Sequence, residues 1–159
     1  MTSCVPSRRP ITPSELAHTT AEDPVPDSKP RILIVDDEPD LLTVLRFGLE
    51  HAGFEVMQAS DGEQGLALAR QVMPDLMILD LMLPRMDGYK VCRALKYDER
   101  YKHIPVFILS ARSGESDRRL AVEMGADEVH TKPYDMKALI ARVRARVEQG
   151  DQDEHRAAA

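Results

Sequence analysis

The sequence predicts an α/β protein in which a doubly wound, parallel five-stranded sheet carries helices on both faces, in a three-layer α/β/α arrangement. Short apolar runs, which are typical of strands buried on both sides, alternate along the chain with segments whose apolar residues recur at helical spacing. Because crossovers between parallel strands are right-handed, successive helices are distributed over the two faces of one sheet.

The first strand–helix unit begins with Ile32–Val35, a continuous apolar run. Pro39 follows at the predicted first turn of a helix, where its missing N–H removes no hydrogen bond. Gly53 ends this helix, because glycine readily adopts the left-handed conformation that follows a helix. The apolar face of the helix consists of Leu42, Leu45, Leu49 and Ala52.

The second and third units repeat this pattern, with strands predicted over Phe54–Ala59 and Asp75–Asp80. Asp61 is the predicted cap of a helix that runs through Val72, and Asp87 caps the helix after the third strand. We interpret Asp87 and the glycine after it as a cap and turn without chemistry. The buried positions of these helices are Leu66, Ala69, Val72 or Met73, Val91, Cys92 and Leu95.

The last two strands are predicted over Ile104–Leu109 and Asp127–Thr131. A helix over roughly Glu115–Met124 separates them, and Gly125 ends it. Asp135 caps the final helix. Its inward residues are Leu139, Ile140, Val143 and Val147.

The composition predicts one folded domain over residues 30–148, flanked by polar tails. Residues 1–29 are rich in Pro, Ser, Thr and charge, which predicts disorder, and residues 149–159 form a polar C-terminal tail. The content of 43% hydrophobic and 30% charged residues is that of a soluble globular protein. The net charge of −6 argues against general nucleic-acid binding, so we expect no direct contact with DNA.

The cysteines and the apolar runs predict a cytoplasmic protein. Cys4 and Cys92 lie far apart and match no metal-binding spacing or disulfide framework. No apolar run approaches the roughly 18–20 residues that span a bilayer, and the N-terminus lacks the apolar segment of a secretory signal.

Polar side chains gather where the predicted strands end. Asp36 and Asp37 follow the first strand, Asp80 ends the third, Ser110 follows the fourth, and Lys132 follows the fifth. In an open α/β sheet, ligands bind at the carboxyl ends of the strands. Adjacent carboxylates repel one another unless a cation neutralises them, and hard oxygen ligands suit Mg²⁺. The pattern therefore predicts a magnesium site at this edge.

Four segments resemble, in order and spacing, the receiver domain of two-component response regulators. They are "ILIVDDEPD", "DLMILDLMLPRMDG", "FILSA" and "GADEVHTKPY". The resemblance covers roughly Arg31 to Val147, almost all of the predicted folded part. It implies the flavodoxin-like (βα)5 fold of chemotaxis-type regulators, in a phosphoryl-accepting protein of a two-component or phosphorelay system.

The resemblance also implies a metal site and a phosphorylation site. Asp36 and Asp37, with the Asp80 side chain and the backbone carbonyl of Met82, correspond to the ligands of Mg²⁺, which Mn²⁺ could replace. Asp80 corresponds to the phospho-acceptor, which takes the phosphoryl group from a phosphohistidine.

Three further residues at the ends of the fourth and fifth strands correspond to positions with defined roles in the family. Lys132 pairs with Asp80 and then with the phosphoryl group, and the Ser110 hydroxyl turns toward a phosphoryl oxygen. Pro133 corresponds to a proline that often follows a cis peptide bond.

The implied partners are a sensor histidine kinase or a histidine phosphotransfer protein and a downstream protein target. The chain is then not an enzyme, apart from Mg²⁺-dependent self-phosphorylation and autodephosphorylation. The surface of the fourth helix, fifth strand and fifth helix mixes positive and negative charges, which suits either a homodimer or an ordinary solvated face.

Several positions depart from the family pattern. Val129 stands where an aromatic residue usually switches, and His130 either replaces that switch, senses pH or is simply packed. Tyr134 occupies a position where Phe is common, and Arg85 replaces a commonly small loop residue.

Two alternative functions follow from these residues. One is a degenerate receiver that acts as a phosphorylation-independent interaction module. Val129 supports this alternative, whereas the intact set of site residues argues against it: Asp36, Asp37, Asp80, Ser110 and Lys132. The other is an aspartyl phosphatase, which is disfavoured because Met82 occupies the position of the usual second aspartate.

Overall fold

A computed structural model describes residues 29–111 and 114–157 of the chain. The predicted N-terminal disordered tail lies outside the described residues except for residue 29. None of the described helices is long and apolar enough to cross a membrane.

Five parallel strands form one sheet in the order β2-β1-β3-β4-β5. The predicted strand positions are confirmed to within two residues at each end. The strands are β1 Arg31–Val35, β2 Glu55–Ala59, β3 Leu76–Asp80, β4 Val106–Ser110 and β5 Glu128–Thr131.

Five helices connect and follow the strands and cover both faces of the sheet, as the alternating pattern predicts. They are α1 Pro39–His51, α2 Gly62–Val72, α3 Gly88–Lys96, α4 Glu115–Glu123 and α5 Met136–Ala157. One core cluster lies beneath α2, α3 and α4, and a second lies beneath α1 and α5. The fold is therefore the chemotaxis-regulator-like, flavodoxin-like (βα)5 arrangement.

The helix ends follow the predicted capping residues. The side chain of Asp61 accepts a hydrogen bond from the Gln64 backbone N–H, and that of Asp87 accepts one from Lys90. Gly53 has a φ of 100°, a left-handed conformation that glycine adopts without steric cost after α1.

The last helix differs from its expected length. α5 continues to Ala157, so most of the predicted polar tail over residues 149–159 is helical. This extension has a physical reason, because Gln, Glu, Arg and Ala are good helix formers although they continue no apolar face.

Candidate functional site

The carboxyl ends of four strands meet at one edge of the sheet, where they bring the predicted site residues together. Asp36 follows β1 directly, Asp80 ends β3, Ser110 ends β4, and Lys132 follows β5. Asp36, Asp80 and Ser110 are each at most 5% exposed, although their side chains are polar. Burying a polar group costs free energy unless a hydrogen bond or an opposite charge compensates it.

Three carboxylates form an acidic cluster at this edge. One carboxylate oxygen from each of Asp36, Asp37 and Asp80 lies within 4.8 Å of the others. Asp37 is exposed to solvent, whereas the other two are buried, so the cluster opens on the side of Asp37. The sequence predicted this grouping because all three residues follow or end parallel strands.

Lys132 supplies positive charge to the two buried carboxylates. Its Nζ donates to Asp36 Oδ2 and to Asp80 Oδ2, at 3.2 Å in both cases. The Lys132 backbone N–H also donates to the Ser110 carbonyl at 2.7 Å, which ties the ends of β5 and β4 together. The bond from Lys132 to Pro133 is cis, as the resemblance implied.

The second oxygen of each buried carboxylate accepts a backbone hydrogen bond. Asp36 Oδ1 accepts from the Glu38 N–H at 2.9 Å, and Asp80 Oδ1 accepts from the Met82 N–H at 3.2 Å. Each carboxylate is thus oriented by the turn that follows it. The Met82 backbone lies beside the Asp80 carboxylate, while the Met82 side chain is 59% exposed.

The pKa values of Asp80 and Lys132 reflect their burial and the charges around them. Burial, together with the neighbouring Asp36 charge, raises the pKa of Asp80 above its ordinary value. Burial alone would lower the pKa of Lys132, but the Asp80 and Asp36 carboxylates outweigh it and raise that pKa. The site therefore holds more negative charge than a single lysine balances.

The donor set fits a divalent cation. Three carboxylates offer hard oxygen ligands, and a cation between them would offset their mutual repulsion. Asp36, Asp37 and Asp80 would supply the protein ligands, while solvent would complete the coordination.

Gly88 allows α3 to begin directly against the backbone of Asp80. A Cβ at Gly88 would lie 2.4 Å from the Asp80 carbonyl oxygen, a distance that no real contact allows. The Gly88 N–H donates to the Leu81 carbonyl at 3.0 Å. Asp87 is a cap, as predicted, but the close approach of Gly88 to the Asp80 carbonyl was not predicted. The signal available was a glycine at the first position of a helix, where alanine would be more favourable.

The residues that depart from the family pattern are mostly packed. Val129 is half-buried against the core beneath α2, α3 and α4. The His130 ring lies 5.5 Å from the Phe107 ring, and its Nε2 is 3.0 Å from Glu128 Oε2. The Tyr134 hydroxyl is buried and has no hydrogen-bond partner among the described residues.

Comparisons with known proteins agree with this geometry. The family model described as the response regulator receiver domain matches residues 32–144. The chain is 48% identical over 122 residues to the DNA-binding dual master transcriptional regulator RpaA of Synechocystis, covering 77% of this chain and 51% of that protein. It is 43% identical over 115 residues to the alkaline phosphatase synthesis transcriptional regulatory protein PhoP of Bacillus subtilis, covering 72% and 47%.

Solved structures give the same result. The signal receiver domain of a signal transduction histidine kinase from Syntrophus aciditrophicus superposes with a TM-score of 0.71 at 33% identity, covering 76% of this chain and 91% of that one. The chain spans about half the length of the two curated relatives above, at 51% and 47%.

Proposed function

Because this chain belongs to the family of response regulator receiver domains, we propose that it accepts a phosphoryl group on Asp80 and signals through a change in its protein contacts. The observation that carries this proposal is the contact of Lys132 Nζ with both Asp36 and Asp80 inside the acidic cluster. A lysine so placed holds the acceptor carboxylate in position and can follow the negative charge onto a phosphoryl oxygen.

The proposed reaction is a direct transfer from a phosphohistidine. A carboxylate oxygen of Asp80 attacks phosphorus, the new P–O bond forms, and the P–N bond to the donor imidazole breaks. The electron pair of that bond returns to the imidazole nitrogen. Lys132 stabilises the negative oxygens during transfer, and the Ser110 hydroxyl donates a hydrogen bond to one of them.

A divalent cation, Mg²⁺ or alternatively Mn²⁺, would be held by Asp36, Asp37, Asp80 and the backbone carbonyl of Met82. When bound, the ion reduces the repulsion between the carboxylates and the incoming phosphoryl group. Asp36 also keeps Lys132 beside the acceptor, because the same ammonium contacts both carboxylates.

We further propose that the phosphodonor is a sensor histidine kinase or a histidine phosphotransfer protein, and that the target is another protein in the cytoplasm. The curated relatives are named as DNA-binding or transcriptional regulators, but this chain spans about half of their length, at 51% and 47%. Direct DNA binding is therefore not proposed for the chain, whose formal net charge is −6.

A homodimer through α4, β5 and α5 is the proposed assembly. Arg146 bonds Asp127 at 3.0 Å, and Arg142 bonds Glu128 within the same molecule. These surface pairs contribute little to stability, so exchanging them for equivalent pairs across a two-fold axis would cost little.

Intact mass measurement tests the proposal. The purified chain is incubated with phosphoramidate and Mg²⁺, beside the Asp80→Asn and Asp75→Asn variants; Asp75 lies outside the acidic cluster. We expect a Mg²⁺-dependent gain of one phosphoryl group in the wild type and in Asp75→Asn, and none in Asp80→Asn. If the wild type gains nothing while a control receiver is modified, the phosphorylation-independent interaction module becomes the better account.

A further inference from the structure

The outward side of α3 carries cations that lack anionic partners in the described part of the chain. Lys90, Arg93 and Tyr97 are exposed along one ridge, and we call these three residues the α3 ridge. Among the described side chains of residues 29–111 and 114–150, the Lys90 ammonium has no ion-pair or hydrogen-bond partner. The Arg93 guanidinium lies 5.5 Å from the centre of the Tyr97 ring and forms no ion pair in the same ranges.

A cavity of about 260 Å³ lies between α3 and α4, directly beside this ridge. Its lining combines apolar groups with the two ridge cations and one carboxylate: Tyr89, Leu120, Met124, Lys90, Arg93 and Asp87. The Asp87 carboxylate already accepts a backbone hydrogen bond from α3. The cavity therefore suits an apolar side chain flanked by carboxylates.

More cationic and aromatic groups lie in the loop after Tyr97. The guanidinium groups of Arg70 and Arg100 lie 6.0 and 5.2 Å from the centre of the Tyr101 ring. Asp98 bonds Arg100 and also interacts electrostatically with Arg70, although Arg70 forms no close ion pair in the described part of the chain. The surface from Lys90 to Arg70 is thus locally positive on a chain whose formal net charge is −6.

The chain enters the fold beside the loop that follows α2. The Arg31 N–H donates to Asp75 Oδ2 at 2.7 Å, and the Asp75 N–H donates to the Arg31 carbonyl at 2.9 Å. The start of β1 is therefore held against the loop that follows α2, the helix that carries Arg70.

The segment that precedes β1 has complementary chemistry. Residues 21–27, "AEDPVPD", contain three carboxylates, those of Glu22, Asp23 and Asp27, around the apolar Val25. An extended chain spans about 3.3–3.6 Å per residue, so Glu22 can lie up to about 30 Å from Arg31. This contour length is about twice the length of α3, whose nine residues span about 14 Å.

We propose that the acidic segment 22–27, which lies outside the described residues, docks on the α3 ridge of its own chain. Its carboxylates pair with Lys90, Arg93 and Arg70, and Val25 enters the cavity between α3 and α4. Tethering raises the local concentration of the segment to the order of millimolar, so modest contacts suffice. The docking does not depend on phosphoryl transfer.

A nitroxide label near the segment tests this docking in the full chain. The label is attached in the double variant Ala21→Cys, Cys4→Ser, and Cys92 can stay because it is buried and its pKa is raised to about 11. We expect the amide signals of residues 89–97 to broaden strongly. The broadening should disappear when Glu22→Gln, Asp23→Asn and Asp27→Asn are combined, and also with Lys90→Ala and Arg93→Ala. The matched control Glu15→Gln should retain it.

Three results would overturn the proposal. Broadening confined to residues near Arg31 and Asp75 would show an undocked segment. Broadening that persists in the triple charge variant would exclude the proposed ion pairs. In a mixture of ¹⁵N chains without nitroxide and ¹⁴N chains that carry it, broadening of the ¹⁵N amide signals would identify the occupant as a second copy.

Discussion

Arg85 is held in a backbone conformation that arginine rarely adopts. Its φ is 67°, in the left-handed region, and it lies in the loop between the proposed acceptor Asp80 and α3. A residue with a Cβ pays roughly 1–2 kcal/mol for this conformation, whereas glycine does not. Glycine in place of Arg85 would therefore remove this cost.

We predict that Arg85→Gly raises the free energy of unfolding by about 1 kcal/mol, because it removes this strain. Urea denaturation measures the change. Arg85→Ala is the matched control, since it removes the same side chain but keeps the Cβ, and it should give no gain. If Arg85→Gly and Arg85→Ala were equally stable, the backbone at this position would not be strained.

The raised pKa of Asp80 predicts how neutralising its carboxylate changes the free energy of unfolding. Folding shifts this pKa upward from 3.8, so the folded state holds the proton more tightly than the unfolded state. Stability therefore falls as pH rises from 3.8 through the higher pKa of the folded state.

Asp80→Asn should accordingly raise the free energy of unfolding at pH 7 by on the order of 1 kcal/mol, because it removes a buried charge and its repulsion with Asp36. Urea denaturation at pH 7 and at about pH 3 measures the effect, and the gain should shrink at the lower pH, where the raised pKa of Asp80 keeps its carboxyl group protonated. A variant less stable than the wild type at pH 7 would contradict it.

Individual site residues could be predicted because strand ends place them. Asp36, Asp37, Asp80, Ser110 and Lys132 all follow or end apolar strands whose limits are visible in the sequence. The sharing of one ammonium by two carboxylates could not be predicted, because it depends on side-chain rotamers and on the distance between strand ends.

At the scale of the elements, helix starts were predictable because capping chemistry is local. Asp61 and Asp87 each bind a backbone N–H three residues later, an interaction that needs no distant partner. The end of α5 was not predictable from its apolar face, because that face stops at Val147 while the helix continues to Ala157.

We predict that Gly88→Ala lowers the free energy of unfolding by roughly 1–3 kcal/mol, because the new methyl group collides with the Asp80 carbonyl and pushes α3 away. Phosphorylation by phosphoramidate should slow in parallel. Gly150→Ala in α5 is the matched control, because a Cβ there meets nothing within 4 Å. An unchanged rate and stability in Gly88→Ala would show that α3 does not need this close approach.

At the scale of the whole molecule, the alternation of strands and helices was enough to predict a parallel sheet covered on both faces. Periodicity alone does not specify which strands are neighbours, and the observed order β2-β1-β3-β4-β5 is that of the flavodoxin-like fold that the resemblance implied. That order places β1 beside β3, and so brings the two buried aspartates together.

Metal binding should stabilise the whole fold, because the acidic cluster exists only when β1 and β3 are paired. We predict that Mg²⁺ at one hundred times its dissociation constant adds about 2.7 kcal/mol to the free energy of unfolding. Thermal unfolding with and without Mg²⁺ measures this. The variant Asp37→Asn, which changes the exposed ligand, should lose most of the stabilisation by Mg²⁺. Equal stabilisation of the wild type and this variant would place the ion elsewhere.

The central claim is that Asp80 is the phosphoryl acceptor, and chemical mapping of the modified residue tests it most directly. The chain is treated with phosphoramidate and Mg²⁺, reduced with borohydride, which converts an aspartyl phosphate to homoserine, and sequenced by tandem mass spectrometry. We predict homoserine at position 80 and at no other aspartate. Homoserine at another aspartate, or none in a chain that has gained a phosphoryl group, would contradict the claim.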